Sequence, residues 1–349
     1  MIKKIRLQNF RSYKDKTLIF GSGINVIVGP NAAGKTNILE AILVSRKGGS
    51  YRAKDIDLIS FNKEWSRIEY FEENNQRTIK IEKNKLPTKI IEIGSKKYKR
   101  IPPSLRTPTV IFEPNHLQLL SGSPEKRRSY LDSLLEQTNY EYGALINKYI
   151  RTLAQRNKLL KSQNFALKEY FFPWNIRLSQ LGGQIVKLRQ EMVDKINTKI
   201  PRIYINISGG GIETSIRYIS QLPQEDYESN LLKKLEINLN NDKKIGFTYY
   251  GPHRDDIVFL FNGHSSNTYA SRGELRSAVL SLKVSEFEII KDKINVSPVM
   301  LLDDVYSELD NKRRESLTKY LENQQTFITT TDADLIKKHQ NKMIKIINL

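Results

Sequence analysis

Residues 24–44 read INVIVGPNAAGKTNILEAILV, and this stretch decides the fold. Residues 24–28 are an apolar run with β-branched side chains, which predicts a buried strand, and the amphipathic pattern from Asn37 onward predicts a helix. Between them, residues 29–36 match G-x-x-x-x-G-K-[ST], a pattern that indicates a phosphate loop when a strand precedes it and a helix follows. The stretch therefore predicts a nucleoside triphosphate site in an α/β domain.

The residue types of this loop suit phosphate chemistry. Gly29 and Gly34 let the backbone turn so that successive amide groups point at phosphate oxygens. Lys35 can reach the β- and γ-phosphates, the hydroxyl of Thr36 can bind Mg²⁺, and the predicted helix adds its positive end. A glycine turn that only caps a helix would account for the glycines but not for the adjacent Lys-Thr pair.

A second stretch, residues 298–304 (PVMLLDD), predicts a buried strand that ends in two acids. A carboxylate at the carboxyl end of such a strand, beside a phosphate loop, can hold Mg²⁺ through water. Asp303 is the predicted metal-side acid. Asp304 is predicted to orient or deprotonate the attacking water. The alternative is a strand that simply ends in two acids facing solvent.

The composition is strongly basic, with 57 Lys and Arg against 38 Asp and Glu and a formal net charge of +19. Such an excess predicts a polyanionic partner, nucleic acid before anionic membrane, although a Lys- and Asn-rich surface that is merely solvated is the alternative. The chain has no cysteine, and it shows neither a signal peptide nor a run of ~20 apolar residues. We therefore expect a cytoplasmic protein without a membrane span.

The pattern of elements changes along the chain. Alternating apolar residues in 45–100, separated by Asn- and Lys-rich turns, predict an antiparallel β-subdomain. From Ser123 to about residue 200 the apolar spacing is helical. Residues 203–207 and 213–218 flank three glycines, and this arrangement predicts a β-hairpin.

A third stretch carries a Ser-x-Gly sequence. Ser271 is followed by Gly273 and then by apolar residues at helical spacing. This order predicts that Ser271 caps a helix. A hydroxyl and free amide groups at the positive end of a helix can bind an anion, although many helices begin this way without doing so.

The order of these features resembles that in ABC-type ATPases of the SMC and RecF kind, and in the RecF family in particular. The phosphate loop, the Ser-x-Gly sequence, the strand with two acids and the sequence SELD at 307–310 follow one another as they do there. Three further stretches narrow the resemblance, namely LQNFRSY at 7–13, SGSP at 121–124 with the arginines that follow, and GPHRDD at 251–256. The similarity runs from end to end of the chain.

The resemblance implies an α/β fold, an ABC-type P-loop ATPase head with a mixed β-sheet, an antiparallel β-subdomain and an inserted, mainly helical lobe. The N-terminal part of the head would be 1–120, the helical lobe 121–245, and the C-terminal part 246–349. Residues 307–310 would couple two ATP sites across a head-to-head dimer.

The resemblance also implies roles for individual residues. The catalytic residues would be Lys35, Asp303 and Asp304, and the Mg²⁺ ligands Thr36 and Asp303. Ser271 and Gly273 would contact the γ-phosphate of ATP bound to a second copy. The implied ATP-binding residues are Arg11 and Ser12 beside the base, then Gly29, Pro30, Asn31, Ala32, Ala33, Gly34, Lys35, Thr36 and Asn37, and finally Ser271 and Gly273.

The implied function is ATP-dependent DNA binding in recombinational repair and replication restart. ATP would join two heads around duplex DNA at gap junctions, and weak, DNA-stimulated hydrolysis would release it. Implied partners are double-stranded and gapped DNA, a second copy of the chain, and the mediators RecR and RecO. The basic stretches predict phosphate contacts with DNA. The candidate DNA-binding residues are Arg52, Lys54, Lys97, Lys99, Arg127 and Arg128.

Three alternatives remain open at this stage. The chain could be the nucleotide-binding subunit of a transporter, but residues 329–332 (TTTD) lack the switch histidine of those proteins. It could be an SMC-like ATPase with another DNA-processing function, or a DNA-binding protein with a vestigial site. Two departures from the family pattern are also present, Arg272 and Glu274 where glutamine is common, and EPNH at 113–116.

Overall fold

The computed structural model describes residues 1–73, 75–85, 87–162, 168–306, 309–321, 324–331 and 344–349, with the backbone alone at 117, 118 and 267. Its contacts divide the chain into two compact units. Unit 1 consists of Met1–His116 and Ile290–Leu349, and unit 2 of Leu117–Ile289.

The secondary structure alternates between short strands and helices of varied length. The strands are β1 (Ile2–Phe10), β2 (Tyr13–Ile19), β3 (Ile24–Val28), β4 (Trp65–Glu72), β5 (Asn75–Glu82), β6 (Thr88–Ile93), β7 (Lys96–Tyr98), β8 (Thr109–Phe112), β9 (Thr214–Ile219), β10 (Asp256–Phe261), β11 (His264–Ser265), β12 (Val299–Asp303), β13 (Thr326–Thr330) and β14 (Ile344–Asn348). The helices are α1 (Lys35–Lys47), α2 (Gln118–Ser121), α3 (Pro124–Thr138), α4 (Tyr142–Lys161), α5 (Phe172–Asn197), α6 (Ile200–Ser208), α7 (Tyr227–Ile237), α8 (Leu239–Ile245), α9 (Ser266–Tyr269), α10 (Arg272–Ile294) and α11 (Asn311–Leu321).

Unit 1 contains a parallel sheet of strand order β14-β3-β13-β12-β8 and an antiparallel sheet of order β2-β1-β4-β5-β6-β7. In the parallel sheet, Val28 pairs with Thr330 and Asp303 pairs with Thr329. Because parallel strands end at one edge of a sheet, the loop after β3 and the acids at the end of β12 meet there. The predicted strand before the phosphate loop, the strand that ends in two acids and the antiparallel β-subdomain are all present.

Helix α1 organises the core of unit 1, because it contacts strands of both sheets. Ile38 and Ile42 of α1 and Ile5 and Leu7 of β1 are fully buried in one apolar cluster, which Phe327 of β13 also joins. Each such side chain contributes roughly 1.5–3 kcal/mol when it is fully buried. The helix that follows the phosphate loop is therefore held firmly from two sides.

Helix α5 organises unit 2 and contacts α3, α4, α6, α7 and β9. Its buried residues recur every three or four positions, as the sequence predicted for a helical lobe. A small antiparallel sheet of order β11-β10-β9 completes the unit. Helix α10 begins in unit 2, and its last residues, from Ile290, belong to unit 1.

The predicted β-hairpin is wrong in its first strand. Residues 203–207, predicted as a strand of a hairpin, lie in helix α6. The buried side chains are Ile200, Ile203, Tyr204 and Ile207, and their spacing of three or four is helical. The β-branched isoleucines favour a strand locally, but packing of this apolar face decides the outcome.

The predicted segment boundaries can be placed beside the two units. Residues 121–245, the predicted helical lobe, all lie in unit 2. Residues 246–289, predicted with the C-terminal part of the ATPase head, also group with unit 2 by their contacts. The three-segment division stays a prediction.

Unit 2 has a polar centre built on paired arginines. Arg156 is fully buried and donates to Asp242 at 2.7 Å, Asn175 at 2.8 Å and Thr248 at 2.7 Å. Arg189 donates two hydrogen bonds of 2.9 Å to Asp132. A buried guanidinium is tolerated only with such partners, because desolvation of an unpaired charge costs several kcal/mol.

Within the described part of the chain, no helix combines the length and the apolar character that crossing a membrane requires.

The buried pair of unit 2 gives a stability prediction. Arg156→Met leaves the carboxylate of Asp242 buried without its cation, and we expect the free energy of unfolding to fall by about 3–5 kcal/mol. Lys148→Met, at an exposed position of the same helix, should change it by less than about 0.5 kcal/mol. Denaturant unfolding of both variants measures the difference, and equal values would contradict the role assigned to the pair.

Candidate functional site

The phosphate loop joins β3 to α1 with a backbone that only glycine accepts at one position. Gly34 has a φ of 94°, in the left-handed region. A Cβ there would lie 2.7 Å from the Oγ of Ser12 and 2.8 Å from the hydroxyl oxygen of Tyr13. Tyr13 also donates a 3.1 Å hydrogen bond to the carbonyl oxygen of Gly34. The loop is therefore closely backed by the turn between β1 and β2.

Lys35 is held by the loop itself. Its ammonium group donates to the carbonyl oxygens of Gly29 at 2.7 Å and Pro30 at 2.9 Å, and the residue is only 8% exposed. The cation is thus fixed at the loop rather than extended into solvent. This places a positive charge where the sequence predicted that phosphate binds.

The carboxyl edge of the parallel sheet brings Thr36 and Asp303 together. The Thr36 hydroxyl donates to Oδ1 of Asp303 at 2.8 Å, and the Thr329 hydroxyl donates to the same oxygen at 2.7 Å. The backbone amide of Asp304 donates to Thr329 at 2.9 Å, and Asp304 has a φ of 52°. Thr329 was missed in the sequence, where it is one of several β-branched residues in a strand.

These residues fit Mg²⁺. A hydroxyl oxygen and a carboxylate oxygen 2.8 Å apart are the hard donors that this ion prefers. The nearby hydroxyl of Tyr51 is buried and has no hydrogen-bond partner in the described part of the chain. Burial, followed by the negative charges of Asp303 and Glu113, raises the pKa of Tyr51. That hydroxyl is a donor available to a ligand oxygen.

Glu40 is a site residue that the sequence analysis missed. Its carboxylate is fully buried in α1 and accepts from Arg11 at 2.8 and 2.9 Å, from Arg52 at 2.9 Å and from Ser50 at 2.6 Å. Arg52 also donates to Asn37 at 2.8 Å. The available signal was an acid within the apolar run of a helix.

This cluster joins residues that were predicted for different tasks. Asn37 donates to Ser12 at 3.0 Å, so the predicted base-side residues Arg11 and Ser12 are linked to the helix through Glu40 and Asn37. Arg52 was predicted to contact DNA, but its guanidinium is engaged by Glu40 beside the phosphate loop. Burial alone would raise the pKa of Glu40, but the hydrogen bonds from Arg11, Arg52 and Ser50 lower it to about 2.

The Ser-x-Gly sequence caps helix α10 as predicted. The amide of Glu274 donates to Oγ of Ser271 at 3.3 Å, and the Glu274 carboxylate accepts from the amide of Ser271 at 2.7 Å. This reciprocal capping box lowers the pKa of Glu274 through the bond from the Ser271 amide. Ser271 is exposed at the helix start, and Gly273 follows it in the first turn.

The remaining candidate DNA residues differ in exposure. Lys54, Lys97 and Lys99 are exposed, with Lys97 3.3 Å from Glu92. Arg127 is only 6% exposed and makes two 2.7 Å hydrogen bonds to Asp256.

Arg128 donates to the carbonyl oxygen of Asp255 at 2.7 Å, and burial lowers its pKa. Within unit 2, Arg127 is thus engaged in an ion pair and Arg128 in a hydrogen bond to a backbone oxygen. Of the predicted coupling sequence at 307–310, residues 307 and 308 lie outside the described part of the chain, as does residue 332 of the TTTD sequence.

Known proteins with similar sequences support the family that the sequence motifs indicated. The family model described as "AAA domain" matches residues 4–348. The DNA replication and repair protein RecF of Agathobacter rectalis is 35% identical over 100% of this chain and 97% of its own length, and that of Clostridium botulinum is 36% identical over 98% and 95%.

Solved structures agree with the fold. The structure of RecF-ATPrS, a recombination mediator protein in the RecFOR pathway, matches with a TM-score of 0.87 at 30% identity. The match covers 100% of this chain and 96% of the RecF chain. An SMC head bound to the C-terminal winged helix domain of ScpA has a TM-score of 0.55 at 17% identity, covers 99% and 93%, and supports the fold alone. The predicted ABC-type ATPase head is confirmed.

The Glu40 cluster predicts a selective effect on nucleotide affinity. In Glu40→Gln, Arg11 and Arg52 lose the charge that orients them, and we expect the affinity for a fluorescent nucleoside triphosphate to fall about tenfold, the equivalent of ~1.4 kcal/mol. Glu72→Gln is the matched control, because Glu72 pairs with buried Arg46 at the far end of the same helix. Equal losses in both variants would assign Glu40 a purely structural role.

The same carboxylate predicts a pH dependence of stability. Its pKa is about 2 in the folded chain against ~4.3 when unfolded, so its contribution of at most about 3 kcal/mol is complete above pH ~4.3 and is lost as the pH falls toward 2. The difference in unfolding free energy between the wild type and Glu40→Gln should therefore shrink from about pH 7 to about pH 3. Denaturant titrations at the two pH values measure it, and a constant difference would contradict the ionised cluster.

Proposed function

Because this chain belongs to the RecF family of DNA replication and repair proteins, within the ABC-type ATPases, we propose that it is an ATP-dependent DNA-binding protein of recombinational repair and replication restart. The observation that carries the proposal is the junction of Lys35, Thr36 and Asp303 at one edge of the parallel sheet. That junction supports an intact ATPase site. A vestigial site would have no reason to keep all three in contact distance of the loop.

The residues of unit 1 divide the work of binding and hydrolysis. The amides of the loop and the ammonium group of Lys35 would bind the phosphates of ATP, and Thr36 and Asp303 would hold Mg²⁺. The ion would neutralise negative charge on the phosphate oxygens. Asp304 would orient the attacking water and accept its proton. Arg11 and Ser12, fixed by Glu40 and Asn37, would contact the base.

A second copy would complete each site. The hydroxyl oxygen of Ser271 accepts a hydrogen bond from the amide of Glu274, so the hydroxyl proton can still be donated to a phosphate oxygen. Gly273 would let the helix start approach that phosphate closely. We propose that Ser271 and Gly273 of one copy contact the γ-phosphate on the other, so that ATP joins two heads around duplex DNA at gap junctions. Slow, DNA-stimulated hydrolysis would then release the clamp.

The proposed partners follow from charge and from the relatives. The net charge of +19 suits the phosphate backbone of double-stranded and gapped DNA. The exposed residues Lys54, Lys97, Lys99 and Arg52 stay candidate contacts, whereas Arg127 and Arg128 are engaged within unit 2. RecR and RecO are proposed partners because a solved relative is a recombination mediator of the RecFOR pathway. The proposed location is the cytoplasm.

ATP-dependent pairing is the first test of this proposal. The wild type should sediment as a monomer without ATP and as a dimer with ATP, and Lys35→Met should stay monomeric because the phosphates lose their cation. Lys14→Met removes an exposed lysine of unit 1 and should still form the dimer. Sedimentation velocity decides between these outcomes, and a monomeric wild type with ATP bound would refute the clamp.

Complementation gives a sharper test. Ser271→Arg should also stay monomeric with ATP, because it blocks the opposing phosphate. Mixed with Lys35→Met, it can form a heterodimer with one complete site, so partial dimer formation should return. Asp304→Asn should dimerise normally and lose at least about 100-fold in turnover, since general base catalysis contributes 10²–10⁴-fold. No recovery in the mixture would argue against a shared site.

A further inference from the structure

Helix α4 of unit 2 is cationic and contains no acidic residue. Its exposed cations are Lys148, Arg151, Lys158 and Lys161. None of them makes an ion pair with another residue that the structure describes, whereas the buried cation of the helix, Arg156, is paired with Asp242. An unpaired row of cations on one helix is a surface suited to an anionic partner.

The four exposed cations lie on one side of α4. At about 100° per residue, the steps of 3, 7 and 3 positions between them keep all four within an arc of roughly 140°. At ~1.5 Å of rise per residue the row is about 20 Å long. This geometry matches an extended polyanion better than a single small anion.

A loop carrying exposed aromatic rings is fastened to the same helix. The amide and hydroxyl of Thr248 donate to Asn157 of α4 at 2.9 and 2.7 Å. The carbonyl of Thr248 accepts from Nε2 of His253 at 3.0 Å, and Nδ1 of His253 therefore accepts from the hydroxyl of Tyr149 at 2.7 Å. Burial lowers the pKa of His253 to about 4, which keeps the ring neutral in this bridge near pH 7.

The fastened loop presents its rings to solvent beside the row of cations. Phe247 is 38% exposed and Tyr249 is 43% exposed, one on each side of the anchored Thr248. The guanidinium of Arg254 lies 4.8 Å from the centre of the Phe247 ring. A Cβ on Gly246 would lie 3.7 Å from Cγ of Lys161, so the loop begins against the last cation of the row.

We propose that the cations of α4 and the rings of Phe247 and Tyr249 form a binding surface for single-stranded DNA. This proposal rests on the proposed function. Cations alone would serve duplex DNA equally well, but the faces of paired bases are covered in a duplex. Exposed rings next to a row of cations favour a strand with free base faces, because stacking adds about 1–3 kcal/mol per base. The surface would hold the single-stranded side of a gap.

The charge part of the surface can be tested by salt dependence. Arg151→Gln with Lys158→Gln should lower the slope of log affinity against log salt by about 1.4 for an oligothymidylate of ~16 nucleotides. The control is Lys187→Gln with Lys233→Gln, which removes two exposed lysines from α5 and α7 and should leave the slope unchanged. Equal slopes in the two double variants would overturn the proposal.

The rings are tested separately. Phe247→Leu and Tyr249→Leu should each weaken oligothymidylate binding at least about fivefold without changing its salt slope, and should leave binding to a fully paired duplex intact. Phe61→Leu, at a ring that is 91% exposed in unit 1, is the control. Equal effects on single strand and duplex would overturn the role of the rings, provided that unfolding midpoints are unchanged.

Three other outcomes are informative, and the first two separate this proposal from the one on which it rests. If the wild type forms its ATP-dependent dimer and binds DNA, but the α4 and ring variants bind like their controls, only the single-strand surface is wrong. If the wild type binds no DNA under any condition, the proposed function itself fails. If the α4 and ring variants lose binding to polyglutamate that the wild type shows, but bind DNA like their controls, the surface belongs to an acidic protein partner instead.

Discussion

The hydrogen bond from Thr36 to Asp303 joins residues 267 positions apart, and the rest of unit 1 is arranged so that it can form. The parallel register places the end of β12 beside the end of β13, one strand from β3. Helix α1, packed against both sheets, sets where Thr36 lies. A slip of one residue in β12 would turn Asp303 to the other face and remove the acid from the site.

Buried charge serves different purposes in the two units. In unit 2, Arg156 and Asp242 are both buried and neutralise each other, so their pairing stabilises the lobe. In unit 1, the buried Glu40 orients Arg11 and Arg52, whose side chains are 22% and 35% exposed. The same chemistry therefore gives stability in one place and alignment of exposed side chains in the other, and exposure of the partner makes the difference.

The GPHRDD stretch shows how one motif can be divided between structure and surface. His253 fastens the preceding loop to α4 through Thr248 and Tyr149, and Asp256 pairs with buried Arg127. Gly251, with a φ of 137°, leaves room for the Tyr149 hydroxyl, which would lie 2.5 Å from a Cβ. Arg254 alone points outward, beside Phe247. Most of the motif is thus spent on holding a loop in place.

The sequence by itself determined the phosphate loop, the strand that ends in Asp303 and the cap at Ser271, because each depends on neighbours within a few positions and on backbone rules that are local. It did not reveal Glu40, Thr329 or the helix at residues 200–208, nor that Arg127 pairs with Asp256 and Arg128 donates to the carbonyl oxygen of Asp255. Whether a charged side chain faces solvent or a buried partner depends on contacts between distant segments, since desolvation is decided by what packs around it. Only the tertiary structure supplies those contacts.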